Sequence, residues 1–508
     1  MPVTTFPPLV DLEDDLPRTA VPTAGDEQER SFLEYLCQGV IGHDARLRTP
    51  EGEKPLLYFD YIASGRFHRA VEDELNAHVL PLMSNTHTET SWTGRYMTRL
   101  YERSFRRIAT YVNAASDDVV LPVGSGSTGV VNRLILIMGL RIPSQLEDRY
   151  GLSRHIPEHD RPVIFRSQME HHSNDITWRE TIGESVYVQF DPHGRISPEH
   201  LDQELGRYRD RPVKIGTFSA ASNVTGIHND CHALARVLHR HGALAFFDFA
   251  AAGPYIEIDM HPRRPDGSVD ADAAMDAVFL SVHKFLGGPR TPGLLIANRS
   301  LFSNRVPTEP GGGTVLYTSP TEHVYLHDAS HRETGGTPPI VGSIQAGLCF
   351  DLKHAIGTER IRRIEQSYLR RALAEWTRNP GLEILGNLET ERLAVVSMIF
   401  RGFHHNFAVA LLSDFFGVQV RGGCMCAGPY GHELLHIDQA VSLGLKRQIE
   451  QGHCGVKPGW VRVSFSPVTC EQEFQTLLEG VEFVTRQGRK YLDRYELVDE
   501  SGEWRRKT

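Results

Sequence analysis

The chain alternates short runs of apolar, often β-branched residues with longer segments in which apolar residues recur every three or four positions. Helical spacing of this kind is seen, for example, at Val130, Leu134 and Ile137. Alternation of strands and helices predicts a mostly parallel sheet covered by helices on both faces, which is an α/β fold. The predicted strands are residues 118–123, 163–165, 185–190, 213–218, 243–247, 277–280 and 293–298.

The pattern changes near residue 345 and predicts a second, smaller α+β domain. Residues 361–376 have the spacing of a long amphipathic helix, residues 392–400 read as a strand, and residues 474–481 read as a late helix. Residues 141–162 read as an insertion without a motif. The predicted parts are a flexible N-terminal arm (1–30), an N-terminal segment packing with the small domain (31–56), a large domain (57–345), the small C-terminal domain (346–490) and a charged tail (491–508).

The composition is that of an ordinary globular protein and argues against nucleic-acid and membrane partners. The 508 residues are 40% hydrophobic and 23% charged, and the net charge of −10 gives no electrostatic reason to expect nucleic acid or an anionic membrane. No apolar run approaches the roughly 18–20 residues that cross a bilayer. An odd count of seven cysteines, together with an N-terminus that lacks the pattern of a signal peptide, predicts reduced thiols and a cytoplasmic location.

Two charged residues follow neighbouring predicted strands, at the sheet edge where α/β proteins bind ligands. Lys284 follows the strand 277–280 and is flanked by glycines; a lysine in a crowded pocket suits a nucleophilic amine that forms a Schiff base. Asp248 closes the apolar strand 243–247, where a carboxylate needs a cation such as a protonated pyridine nitrogen. Taken alone, Lys284 is equally typical of a surface loop, and Asp248 of a helix N-cap or a metal ligand. Together they favour a bound cofactor.

Two further loops carry polar residues at the same edge. The glycine- and hydroxyl-rich turn 124–128 leads into a helix and suits an anion, because free backbone N–H groups and the helix dipole face it. It matches neither a Walker loop nor a spaced dinucleotide fingerprint. His171 follows the strand 163–165 and could stack on a planar cofactor, although a solvated or structural histidine is the alternative.

From Leu57 to Ser466 these motifs occur in an order that resembles fold-type I, class V aminotransferase-like enzymes, in the cysteine desulfurase and selenocysteine lyase group. The sequences MEHHSN, SAASNVTG, FFDFAAA and SVHK resemble the family's cofactor-binding motifs. The resemblance implies a pyridoxal 5'-phosphate cofactor and a homodimer, in which the sequence PGGGT (310–314) resembles a loop that approaches the site. The cofactor contacts that it implies are Lys284, Asp248, His171, Asn223, Ser127, Thr128, Ser281 and His283.

Two C-terminal segments supply the rest of the implied reaction. Arg421 and Cys426 in RGGCMCAGP reproduce the family's spacing of an arginine and a sulfur-abstracting cysteine. WVRVSFSP resembles the segment whose arginine binds the substrate carboxylate, which puts that role on Arg462, since a guanidinium fork matches a carboxylate. With His171 and Lys284 as further catalytic residues, an amino acid such as L-cysteine would leave as alanine and its sulfur would become a persulfide on Cys426. A protein or thiol would then accept the sulfur, and no metal is expected in this site.

Two departures from the family pattern stand out. The family has a glutamine three residues after the pyridine-binding aspartate, whereas this chain has Ala251, and this difference favours a specialised relative over a housekeeping desulfurase. Cys424 lies two residues before Cys426 and could pair with it, resolve a persulfide or be a bystander.

Three alternative functions stay open at this point. The cofactor could serve a C–S lyase, epimerase, decarboxylase or aminotransferase, since fold does not fix function. The chain could be a scaffold that has lost its cofactor. A zinc protein is the third alternative, because six soft or borderline ligands lie close in sequence: Cys424, Cys426, His432, His436, His453 and Cys454.

Overall fold

The computed structural model describes residues 26–86 and 88–507. Most of the predicted N-terminal arm, residues 1–25, therefore lies outside the described residues, and residues 26–30 belong to a helix. The helices are α1 (Asp26–Gly39), α2 (Arg69–Glu74), α3 (Trp92–Tyr111), α4 (Gly126–Ile137), α5 (Ser144–Tyr150), α6 (His172–Arg179), α7 (Pro198–Arg207), α8 (Cys231–Arg240), α9 (Ala329–Arg332), α10 (Ile340–Ile356), α11 (Thr358–Trp376), α12 (His405–Phe416), α13 (Gly428–Leu434), α14 (Gln439–Glu450) and α15 (Glu471–Gln487).

The strands form one large sheet, one sheet of four strands and several two-stranded pairs. They are β1 (Arg46–Thr49), β2 (Gly52–Pro55), β3 (Leu57–Tyr58), β4 (Asp118–Val123), β5 (Val163–Ser167), β6 (Glu184–Val188), β7 (Lys214–Ser219), β8 (Leu244–Asp248), β9 (Ala277–Ser281), β10 (Gly293–Asn298), β11 (Val315–Thr318), β12 (His323–Tyr325), β13 (Leu382–Ile384), β14 (Val395–Phe400), β15 (Val418–Gln419), β16 (Arg421–Gly423), β17 (Trp460–Ser464), β18 (Tyr495–Val498) and β19 (Glu503–Arg506).

The large sheet has seven strands in the order β4-β10-β9-β8-β7-β5-β6. All neighbours from β9 to β6 pair in parallel, and β10 runs antiparallel to both β4 and β9. Strands β5, β7 and β9 are buried along their whole length, as expected where helices cover both faces of a parallel sheet. These seven strands are the seven predicted from the sequence, so the α/β prediction is confirmed.

The small sheet, in the order β13-β14-β17-β16, is antiparallel. It packs with α11, α12 and α15 around a second hydrophobic core that includes Phe407, Phe465 and Phe474. The amphipathic helix, the strand and the late helix predicted after residue 345 correspond to α11, β14 and α15.

The terminal segments pack on α12. The hairpin of β1 and β2 contacts this helix, and so does β19. The segment 491–508, predicted to be a charged tail, contains the hairpin of β18 and β19; Tyr495 is buried in the second core and its hydroxyl donates to Asp414 Oδ2 at 2.6 Å. Residues 141–162 contain α5 and two short 3-10 turns. Within the described part of the chain, every helix is too short or too polar to span a bilayer.

Gly417 joins α12 to β15 and sets the position of two loops at the candidate site. Its φ of +72° lies in the left-handed region, and a Cβ atom there would lie 1.9 Å from the carbonyl oxygen of Pro55. Directly after it, Val418 pairs in parallel with Leu57 of β3. The close approach therefore requires glycine, and it brings the chain after β3 next to the chain after β15.

We predict that Gly417→Ala lowers the free energy of unfolding by about 2–4 kcal/mol, because it combines left-handed strain with a backbone clash. Gly444→Ala in α14 is the matched control, since a Cβ atom there would meet no atom within 4 Å. Urea unfolding of both variants checks the difference. Equal stability of the two variants would contradict the proposed close approach.

Candidate active site

One cavity of about 170 Å³ lies at the carboxyl edge of the large sheet. It is bounded by the loops that follow β4, β5, β7, β8 and β9 and by residues of β16, β17 and the loop after β16. All the residues singled out from the sequence as catalytic or binding line it, and their roles are still predictions. They are Ser127, Thr128, His171, Asn223, Asp248, Ser281, His283, Lys284, Arg421, Cys426 and Arg462.

Asp248 ends β8, and Lys284 lies in the short turn after the neighbouring parallel strand β9; both line the cavity. Burial lowers the pKa of Lys284 to about 8, and the charge of Asp248 opposes this shift. Burial raises the pKa of Asp248, while the N–H of Ala250, which donates to Oδ1 at 2.8 Å, opposes it. Among the described residues Asp248 has no ion-pair partner within 4.0 Å. A buried carboxylate of this kind fits a protonated pyridine nitrogen.

The turn before α4 forms a cradle that fits a phosphate. Gly126 has φ +56°, and a Cβ atom there would lie 3.0 Å from Ser281 Oγ and 3.4 Å from His283 Nε2. The N–H of Ser127 donates to Ser281 Oγ at 2.8 Å, so the turn and the end of β9 are held together. The hydroxyl of Thr128 is 2.5 Å from that of Ser173. Small residues, hydroxyl groups and the N-terminus of α4 together suit an anion.

His171 lies at the N-terminus of α6, and its Nδ1 accepts from the N–H of Ser173 at 3.1 Å. Burial and then the charge of Lys284 lower the pKa of His171 to about 3, so the ring is neutral near pH 7. Since Nδ1 accepts this bond, we assign the ring proton to Nε2. A neutral ring can lie against an aromatic cofactor without repelling the cations around it.

Glu170, which was not predicted from the sequence, holds the loop after β5 in place through three hydrogen bonds. Its carboxylate accepts from Ser167 and Ser219 at 2.6 Å and from Asn174 at 2.7 Å. Burial raises the pKa of Glu170 to about 7, although these hydrogen bonds oppose the shift. The one sign of its importance in the sequence was its position in the motif MEHHSN, directly before His171.

Asp60, just after β3, was also missed, and it binds both predicted substrate-binding arginines. Arg462 Nη2 donates to Asp60 Oδ1 at 2.7 Å, and Arg421 Nε donates to Oδ2 at 3.0 Å. Arg462 is 3% exposed, and its Nη1 donates to the carbonyl oxygen of Asn223 at 3.0 Å. Two guanidinium groups and one carboxylate leave one net positive charge at the cavity wall. This charge fits the carboxylate of an amino acid.

Cys426 lies on a strained loop between β16 and α13. Met425 and Cys426 have φ values of +54° and +55°, which non-glycine residues rarely adopt. Three bonds hold the loop: Asn223 Nδ2 donates to the Met425 carbonyl at 2.8 Å, His172 N–H donates to that of Cys426 at 2.7 Å, and Gly428 N–H donates to His172 Nε2 at 3.0 Å. The result is an exposed thiol at the cavity.

Of the two residues that depart from the family pattern, Ala251 and Cys424, only Ala251 lines the cavity. Ala251 lines the cavity and its methyl group offers no hydrogen bond. Cys424 is half-buried, is not disulfide-bonded and packs against the main core.

The six ligands of the zinc alternative do not come together. His432, for example, bonds Gly428 and Ser442, and His453 bonds Asp499. Within residues 26–86 and 88–507, the one metal-compatible group of three or more side chains comprises His43, Cys470 and Glu473, none of which belongs to that set.

The chain is similar to known proteins in three comparisons, and the family model decides its family. The family model for class V aminotransferases matches residues 57–477. A "Probable cysteine desulfurase" of Halalkalibacterium halodurans is 27% identical over 74% of this chain and 85% of its own. A "Cysteine desulfurase" of Klebsiella pneumoniae is 28% identical over 74% and 85%. The solved apo structure of a cysteine desulfurase from Thermococcus onnurineus has a TM-score of 0.69 at 20% identity, covers 89% of this chain and 98% of its own, and shows the same fold. The chain therefore belongs to the class V aminotransferase family.

Proposed function

We propose that this protein is a pyridoxal-phosphate-dependent, cysteine desulfurase-like enzyme, which takes sulfur or selenium from L-cysteine or a related thio- or seleno-amino acid. The observation that carries the proposal is that the amine of Lys284 and the thiol of Cys426 line one cavity. Simple transamination needs no thiol there. The names of the curated relatives support the same reaction.

When bound, pyridoxal phosphate acts as an electron sink that lets an amino acid lose its α-proton and weakens the bond from Cβ to sulfur. Asp248 would hold the pyridine nitrogen protonated, and the cradle of Gly126, Ser281 and His283 would hold the phosphate. Lys284 Nζ would take and return the α-proton, since a pKa of about 8 keeps part of the amine unprotonated near neutrality. The neutral ring of His171 would cover the cofactor.

The substrate carboxylate would bind the arginines that Asp60 holds. Arg462 Nε is buried without a hydrogen-bond partner in the described structure, so this guanidinium keeps a donor for an incoming anion. Arg421 is half-exposed and uses its Nε on Asp60, which leaves its terminal amino groups for the substrate. Binding one carboxylate would neutralise the remaining positive charge.

Cys426 is the one cysteine of the described residues that lines the cavity, and it would accept the sulfur. Its Sγ would attack the sulfur of the substrate and form an S–S bond while the Cβ–S bond breaks. The electron pair stays with Cβ, which takes up a proton, and the products are alanine and a persulfide on Cys426. The enzyme sulfur is thereby oxidised and Cβ is reduced, so no other oxidant is needed. Because Cys426 is exposed, a protein or small thiol could then remove the outer sulfur.

We predict that borohydride fixes added pyridoxal phosphate to Lys284, and that the attachment rate rises with pH through a midpoint near the lysine's pKa of about 8. The cause is that only the unprotonated amine is nucleophilic. Asp248→Asn should move this midpoint to lower pH, because the negative charge of Asp248 raises the pKa of Lys284. Peptide mass spectrometry measures the modification. Lys446→Ala, at an exposed lysine, is the control, and equal labelling of Lys284→Ala and wild type would refute the assignment.

We predict that Cys426→Ala reduces alanine formation from L-cysteine, in the presence of dithiothreitol, by roughly 10³-fold or more, since the sulfur acceptor is lost. Cofactor absorbance should be unchanged. Cys454→Ala is the matched control at a half-buried cysteine outside the cavity and should behave as wild type. Alanine, sulfide, pyruvate and ammonia are measured together under anaerobic conditions.

The same assay separates the alternative reactions. If Cys426→Ala forms alanine and sulfide as fast as wild type, the role of Cys426 is excluded. If pyruvate, ammonia and sulfide replace alanine, the enzyme is a C–S lyase.

We also propose a homodimer formed through the region around residues 310–325. Strands β11 and β12 are only three or four residues long, and they expose apolar side chains: Leu316 is 66% exposed, Tyr317 57% and Val324 46%. Exposed apolar groups on a hairpin are typical of a contact surface. Light scattering should give about twice the chain mass of 57.0 kDa, and Leu316→Glu should reduce this mass toward 57.0 kDa, whereas Leu146→Glu in α5, also exposed, should not. A monomeric wild type would contradict the proposal.

A further inference from the structure

A second group of soft ligands lies outside the catalytic cavity, where the N-terminal segment meets the start of α15. His43, Cys470 and Glu473 each offer one ligand atom, and these atoms lie within 4.8 Å of one another. All three side chains are half-buried. The thiol of Cys37, at the end of α1, interacts directly with that of Cys470. Two thiols, an imidazole and a carboxylate therefore converge from three separate segments.

Several of these ligand atoms are available to coordinate an ion. One carboxylate oxygen of Glu473 accepts from the N–H of Cys470 at 3.0 Å, which leaves its other oxygen available. One ring nitrogen of His43 lies within 4.8 Å of the thiol of Cys470 and of a carboxylate oxygen of Glu473. The thiol of Cys37 donates to the Val468 carbonyl at 3.2 Å, and an ion would replace this weak bond.

The charges also favour a soft divalent cation. Two thiolates and one carboxylate carry three negative charges, and the positive charge of Arg66 acts on Glu473. One divalent cation would make this group neutral. The hydrogen bond with Cys37 and burial raise the pKa of Cys470, so zinc would bind there with release of the thiol proton. Thiolate and imidazole ligands select zinc over magnesium or calcium.

We propose that Cys37, His43, Cys470 and Glu473 form a structural zinc site. Tetrahedral zinc with bonds of roughly 2.0–2.3 Å separates its ligand atoms by about 3.5 Å, so His43, Cys470 and Glu473 need only a small contraction. Cys37, which contacts Cys470, would have to move in as the fourth ligand. The bound ion would join the end of α1 and the turn after it to the first turn of α15. It would also lie beside the loop 60–64, since the buried Tyr61 experiences the charges of both Glu473 and Cys37. Ile62 and Ala63 of this loop line the catalytic cavity.

The test uses the purified full chain with its cofactor, reduced and dialysed free of metal, in a Cys426→Ser background that removes the exposed thiol. Zinc is then added, unbound metal is removed, and zinc per chain is measured by plasma mass spectrometry. We expect about one zinc ion per chain. Cobalt should give thiolate charge-transfer absorption and the visible bands of tetrahedral coordination, beyond the absorption of the cofactor.

Cys470→Ser is the informative variant, because serine still caps α15 while the soft ligand is lost. Loss of an outer-shell partner typically weakens metal affinity by roughly 10–100-fold, and loss of a direct ligand in Cys470→Ser should weaken zinc affinity by more than this. Cys37→Ser should do the same, and Cys454→Ser should not. Zinc should raise the Tm of the parent chain but not that of Cys470→Ser.

Three results would overturn the proposal. They are no stoichiometric uptake by the reduced chain, equal uptake by Cys470→Ser, or octahedral cobalt spectra. A disulfide between Cys37 and Cys470 would lower the mass of the chain by about 2 Da, the mass of two hydrogens. If such a disulfide survives mild reduction, these cysteines are a redox pair and not zinc ligands.

Discussion

The ion pairs of Asp60 join the chain after β3 to strands β16 and β17 at the candidate active site. Arg462 is almost fully buried in β17, and a buried guanidinium without a counter-charge is several kcal/mol unfavourable. Its counter-charge comes from the loop after β3, a part of the chain about four hundred residues away. The pairing of β3 with β15, and the bridge from Asp60 to Ser464, fix the carboxylate in place. This part of the cavity wall therefore depends on contacts between the chain around β3 and the strands β15, β16 and β17.

Burial, and after it the same group of charges, shifts the pKa values of Lys284 and His171. Arg462 and Arg421 lower the pKa of Lys284, whereas Asp248 and Asp60 raise it. The arginines also contribute to keeping His171 neutral. A substrate carboxylate bound between the arginines would add a negative charge to this balance and raise the pKa of Lys284. Substrate binding would thereby make the freed amine a stronger base at the moment when it must take a proton.

The sequence predicted the large sheet well because most of its strands are buried and apolar and are followed by a polar or glycine-rich loop. The residues after those strands, such as Asp248 and Lys284, could be found for the same reason. Asp60 and Glu170 could not, since their importance depends on partners far away in the sequence, and an isolated acidic residue is typical of any surface. The hairpin within residues 491–508 was hidden by its charged residues, although Tyr495 and Trp504 supply its apolar face.

Asn223 shows how this site differs from the family pattern, in which a glutamine stands at the position of Ala251. The family resemblance places Asn223 near the phenolic oxygen of the cofactor, and without a glutamine it is the amide left to serve that oxygen. Its side-chain amino group donates one hydrogen to the Met425 carbonyl, and its backbone carbonyl oxygen accepts from Arg462. One residue thus contacts the loop of Cys426 and Arg462 and also lines the cavity. The amino group carries two hydrogens, so Asn223 could donate to a cofactor oxygen while it still holds the Met425 carbonyl. Where Ala251 replaces the glutamine, this amide would then link a bound cofactor to the loop that carries the Cys426 thiol.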